Sequence, residues 1–118
     1  MAKLDLDGLF ASIDGMDADA FVGFLTDDAT FRYGSQNPVE GKAAVREYVQ
    51  TFFGMIDSLS HEVFEVMEGE NSMCCYGNTT YVRPDGSKVT IPFANVFRLQ
   101  GDKVKDYLVH IDPSPLLG

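Results

Sequence analysis

Apolar residues at the start of the chain recur at a helical period. Leu6, Leu9, Phe10 and Ile13 stand at i, i+3, i+4 and i+7, which predicts an amphipathic helix over residues 4–14 that stops at Gly15. Asp17 is placed to cap a second short helix over residues 18–25, with Phe21, Phe24 and Leu25 on one side. "ATFRYG" then alternates, Ala29, Phe31 and Tyr33 against Thr30 and Arg32, the mark of a half-buried strand that ends at Gly34. "SQNP" is a loop. From Gly41 the helical period returns, and Val45, Tyr48, Val49, Phe52 and Ile56 form the longest apolar stripe of the chain.

Everything after residue 60 reads as strand. The runs 60–68, 72–83, 87–100 and 103–112 are separated by turn residues, with Asp85-Gly86 the plainest hairpin signal among them. These predict a four-strand antiparallel meander. Helices first and strands after indicate one α+β domain over residues 1–118, with three N-terminal helices packed on a strongly curved mixed, mostly antiparallel sheet. Strands of about 10 to 14 residues exceed the usual 5 to 6 and must coil, and Pro92 within one of them marks a bulge or an edge. A bent sheet with helices across its concave side forms a cone with an internal pocket. The late strands are apolar on both faces, Phe93 and Phe97 on one, Pro92, Ala94 and Val96 on the other. Helices cover one side only, so the expectation is a homodimer through the outer sheet face.

Composition narrows the partners. The 118 residues carry 18 acidic and 9 basic side chains, a net charge of -9, and the basic ones form no stripe. Nucleic acid and anionic membrane surfaces are therefore excluded as expected partners. The first ten residues, "MAKLDLDGLF", contain one Lys and no apolar run, unlike a signal peptide, and the expected location is cytoplasmic. The two cysteines, Cys74 and Cys75, are adjacent and read as small buried residues; two cysteines with no His cluster hold no zinc, and no metal or cofactor is expected.

The stretch "VHID" raises the question of chemistry. His110 and Asp112 share a strand face with Leu108, opposite Tyr107, Val109 and Ile111. They are either a catalytic pair, with Asp112 orienting a proton-transferring His110, or a strand end at which Asp112 caps the "PSPL" turn. Asn95 lies among Ile91, Phe93, Phe97 and Leu99, so its buried amide bonds either a ligand or a facing side chain. Tyr33 should point its hydroxyl inward, Asn78 adds a polar interruption to its strand, and Phe93 and Phe97 furnish apolar wall. His61, beside Ser60 and Glu62, reads as solvated.

The segments "FLTDDATFRYG", "GKAAVREYV", "FANVFRLQGDKV" and "YLVHIDPSPL", in this order and spacing, resemble the SnoaL-like domains of the nuclear-transport-factor-2-like superfamily over nearly the whole chain. The resemblance implies a cystatin-like cone around an apolar cavity, and a range of activities from isomerase to plain binding module. The positions matching the base and the two oxyanion-hole residues of ketosteroid isomerases hold Tyr33, Leu9 and Asn95, so the base is missing. Those matching the Arg and two carboxylates of limonene-epoxide hydrolases hold Asn78, Thr80 and Val109. Neither chemistry is expected. The acidic residue that SnoaL-like polyketide cyclases carry on their late strands is matched loosely by Asp112 or His110. Two function classes stay open. One is a cofactor-free isomerase, cyclase or dehydratase acting at a carbonyl of a small, largely apolar molecule; the other is a non-catalytic binding or dimerisation module.

Overall fold

The structure, a computed structural model, describes residues 4–117. The chain runs α1 (Leu6–Asp14), α2 (Ala18–Val22), β1 (Leu25–Tyr33), β2 (Val39–Glu40), α3 (Lys42–Phe53), β3 (Ser58–Glu68), β4 (Ser72–Val82), β5 (Lys88–Gln100), β6 (Lys103–Ile111) and α4 (Ser114–Leu117). The six strands form one sheet in the order β2-β1-β6-β5-β4-β3. Only β1 and β6 pair in parallel, so the meander β3 to β6 is antiparallel throughout, and the α+β class follows. Among the described residues no helix is long and apolar enough to cross a membrane.

Local chemistry sets the helix ends. Asp5 accepts from the backbone N–H of Gly8 and Asp17 from that of Ala20, both at 3.0 Å, so each short helix begins on a carboxylate cap. In α3 the buried stripe is Val45, Val49 and Phe53, while Tyr48 and Phe52 are half-buried on its flank. The Arg46 guanidinium ties α3 to Asp19 of α2 at 2.5 Å, and the two helices lie together over the concave face.

Three details depart from the sequence expectation. Phe24 and Leu25 leave the second helix, and Leu25 opens β1, whose register against β6 shifts between Leu25 and Thr30. Val39 and Glu40 pair with β1 to make a two-residue edge. A fourth helix, α4, follows β6, because Asp112 accepts from the N–H of Ser114 at 3.1 Å and turns the chain. Pro92 sits where β5 runs past the end of β6: pairing with β6 starts at Phe93, so its missing N–H costs no ladder bond there.

One bend of the sheet lies on its β3 edge. On β3 the register shifts between Val63 and Glu65, a bulge that bends the strand over Gly77. A Cβ at Gly77 would stand 1.8 Å from the carbonyl oxygen of Glu62, so only glycine fits beneath the bend. The coiling of the sheet as a whole is measurable. Tyr33 on β1 and Tyr81 on β4 are three strands apart, roughly 14 Å across a flat sheet. Their hydroxyl oxygens nonetheless lie 2.8 Å from each other, because the sheet coils into a cone around them.

Candidate functional site

Side-chain alternation and register decide what faces the inside of the cone. On β5 the inward residues are Ile91, Phe93, Asn95 and Phe97; Asn95 is opposite Val109 of β6 and Cys75 of β4, which puts Val109, Tyr107 and Cys75 on the same face. Beneath the helices these strands enclose a cavity that leaves about 60 Å³ for the centres of water-sized molecules. By the same measure an outer basin of about 340 Å³ adjoins it, lined by Gln36, Glu47, Thr51 and Met55. Tyr33, Tyr48 and Phe52 border both spaces. Tyr48 donates to the side-chain oxygen of Gln36, closing one side of that boundary.

The inner cavity is apolar apart from a few groups. His61 of β3 lines it, with only 10% of its side chain exposed, between the rings of Phe10 (centroids 4.7 Å apart) and Phe93 (5.3 Å). Asp14, the last residue of α1, holds this histidine twice: Oδ1 is 2.6 Å from Nδ1 and Oδ2 accepts from the backbone N–H at 3.3 Å. An ionised carboxylate only accepts, so against it Nδ1 carries the hydrogen, and whenever the ring is neutral its lone pair is at Nε2. Nε2 has no hydrogen-bond partner among the described residues. Such a pair has the geometry of a base with an orienting carboxylate.

Asn95 is 2% exposed, lines the same cavity, and its Oδ1 has no partner. An orphan buried carbonyl of this kind costs about 1–3 kcal/mol, so its retention points to a function. Tyr33 and Tyr81 bond each other, and burial pushes both phenols above the ordinary tyrosine range. Tyr107, packed on Phe97, Phe31 and Phe21, is raised likewise by burial, then by the neighbouring Cys75 and Asp14. All three remain neutral O–H groups at any physiological pH. Burial also pushes the Cys75 thiol from 9.0 to about 11, which removes its nucleophilic form. Among the described residues no cluster of three or more His, Cys, Asp or Glu could hold a metal ion.

Of the residues singled out in the sequence, Tyr33, Asn95 and Phe93 meet at this cavity. Phe97 is inward and fully buried against Tyr107, behind the cavity wall. His110 and Asp112 need correction as a catalytic pair. Asn95 is in register with Val109 and Ala94 with His110, so His110 points outward and is exposed, as is Asp112. Hydrogen bonds from Ser114 hold the Asp112 carboxyl below its usual range, consistent with a cap on α4. Asn78 also faces outward, opposite Pro92. Conversely, His61 is no solvated strand start. It shares its face with Leu59 and Val63, and extending β3 back to Leu59 would have shown this. Asp14, Tyr81 and Tyr107 had no sequence signal beyond their inward parity.

This fold and this cavity can be set beside known proteins. The pattern of the SnoaL-like domain matches residues 6–107. The chain belongs to the SnoaL-like domain family. Among curated proteins, none matches the sequence. Among solved structures, the SnoaL-like chain is similar to a nuclear-transport-factor-2-like protein of unknown function from Burkholderia pseudomallei, at 13% identity and a TM-score of 0.85, over 95% of this chain and 91% of that one. It is also similar to a candidate SnoaL-like polyketide cyclase from Jannaschia sp. (20%, 0.81, over 95% and 85%) and to TerC crystallised with polyporic acid (13%, 0.82, over 95% and 92%). At these identities the likeness establishes the cone and leaves the ligand open.

Proposed function

We propose that this SnoaL-like cone binds a small, largely apolar molecule and that His61, oriented by Asp14, moves a proton on it next to a carbonyl, without a cofactor. One observation carries the reading: a His–Asp pair at 2.6 Å, with no hydrogen bond to its second ring nitrogen among the described residues, shares an apolar cavity with Asn95, whose carboxamide oxygen is unpartnered. A neutral imidazole is the natural base near pH 7, and the low-dielectric walls strengthen any dipole that meets developing enolate charge. Isomerisation, aldol-type cyclisation and dehydration all begin with such a step. That TerC was crystallised with polyporic acid, and that a relative of the fold is a candidate polyketide cyclase, is compatible with an organic ligand in the cone. A non-catalytic binding module would use the same cavity and differ only in leaving His61 idle.

The test is proton exchange on a neutral ketone. In D₂O, 2-tetralone loses its α-protons at a rate that proton NMR follows directly. Wild-type protein should accelerate this loss, and His61→Gln should abolish the acceleration while the fold survives. Equal rates for the two proteins would leave the binding module as the remaining reading.

The outer sheet face carries the expected homodimer as a second proposal. Phe64 is 54% exposed and its ring meets that of Tyr76, while Cys74, Val96 and Leu108 make an adjoining row across three strands. A second copy would bury them without disturbing the cavity.

A further inference from the structure

The cavity's hydrogen-bond accounts do not close, and the two open positions belong to residues of one row of the sheet. Tyr33, Val109 and Asn95 are in mutual register on β1, β6 and β5, and all three line the cavity. Two strand spacings put the Tyr33 and Asn95 backbones about 9–10 Å apart, with Val109 as an apolar floor between them. At one end, two phenols share a single hydrogen bond: whichever hydroxyl donates, the other keeps its own O–H, which has no partner among the described residues. Burial keeps both phenols protonated, so this end is a permanent donor. At the other end, Oδ1 of Asn95 is an acceptor without a donor. Among the described residues no Lys or Arg lines the cavity to neutralise an anion.

Taking the cavity as the ligand site proposed above, we infer that the row Tyr33–Val109–Asn95, with Tyr81, selects a neutral hydroxy-carbonyl compound. Its carbonyl oxygen accepts from the spare tyrosine hydroxyl, its apolar body lies on Val109, and its own hydroxyl donates to Asn95. Carboxylates and phosphates are disfavoured, because no Lys or Arg among the described lining residues would offset their desolvation. His61 stands beside this row: its register partner Thr79 is two residues, about 7 Å, from Tyr81 along β4. The base is thus within one pleat of the strand that positions the carbonyl.

Four matched one-ring probes test the inference by calorimetric titration: 4-hydroxyacetophenone, 4-methoxyacetophenone without the donor, 4-ethylphenol without the carbonyl, and the anion 4-hydroxybenzoate. The hydroxyketone should bind tightest, each neutral deletion should weaken binding about three- to tenfold, and the anion should bind least. Removing one tyrosine hydroxyl frees the other to donate, so Tyr33→Phe and Tyr81→Phe alone should each lose little. The double variant should bind hydroxyketone and ethylphenol equally well. Asn95→Leu should equalise hydroxyketone and methoxyketone. Equal affinity of the wild type for all three neutral probes overturns the two-ended recognition yet keeps an apolar ligand cavity. No binding by any probe, with the resonances of Val109 and Tyr33 unmoved, overturns the cavity as well. If the double variant fails to fold, the probe series on the wild type still decides.

Discussion

Replacing Asn95 by leucine should make the empty protein more stable and the ligand-binding protein worse, an opposition that few structural residues produce. The side chain is 2% exposed and its Oδ1 has no partner, so the native state leaves a polar atom desolvated for about 1–3 kcal/mol. Leucine has nearly the same volume, removes that cost, and adds apolar contact with the surrounding Phe93, Phe97 and Val109 wall. In a domain of this size each kcal/mol shifts the midpoint by about 4 °C, so Asn95→Leu should melt roughly 4–12 °C higher than wild type. Differential scanning calorimetry of both proteins, with and without 4-hydroxyacetophenone, measures the two halves together. Ligand stabilises by RT ln(1 + [L]/Kd), so a probe concentration that raises the wild-type midpoint should move the variant less. A variant that melts lower than wild type and is still protected by the probe would refute the reasoning. Asn95 would then be a structural tie, and the cavity would need no ligand to complete it.

Other expectations follow from the same geometry. Gly77→Ala should lower stability severely, by several kcal/mol, because the new Cβ meets backbone at 1.8 Å and the β3 bulge cannot yield cheaply; urea unfolding with an unchanged midpoint would show that the bend is soft. Phe53→Ala, deep in the core, should cost about 3–5 kcal/mol, whereas Phe52→Ala, half-buried between the two cavities, should cost less and admit bulkier probes; equal costs would mean that α3 is rotated. Cys75 ionises at about 11 in the fold against 9.0 ordinarily, and the buried tyrosines are raised in the same sense. Above pH 9 the unfolded chain therefore releases protons that the native chain keeps, and stability should fall between pH 9 and 11, by up to about 1.4 kcal/mol per pH unit per group. A flat urea midpoint across that range would contradict it. Sedimentation should find a dimer at micromolar concentration, and Tyr76→Glu should dissociate it while ligand titrations are unaffected.

The sequence carried the fold because the fold rests on periodicity. Leu6, Leu9, Phe10 and Ile13 announce α1, and the turn residues near 70, 85 and 101 cut the meander into its four strands. The site was less legible, because it depends on which of two strand faces turns inward. In β6 the alternation of Tyr107, Val109 and Ile111 against Leu108, His110 and Asp112 is plain, yet both faces offer an apolar residue. Only the register Asn95 opposite Val109 shows that the tyrosine face lies inside. Asn95 and His110 therefore stand on opposite sides of the sheet. His61 was hidden by its neighbours Ser60 and Glu62, which are exposed on the other face of the same strand. Its partner Asp14 lies 47 residues away on a helix end, and no local pattern links them. The same holds for Tyr33 and Tyr81, 48 residues apart, which meet only because the sheet coils between β1 and β4.

With two histidines in the chain, one inside the cone and one outside, the imidazole nitrogens report on the site directly. Long-range proton–nitrogen NMR spectra of the two rings, recorded before and after addition of 4-hydroxyacetophenone, test where the chemistry sits. The account predicts that Nε2 of His61 shifts on addition and that His110 stays where it was. A shift at His110 with His61 unmoved would place the ligand on the outer face and contradict the account.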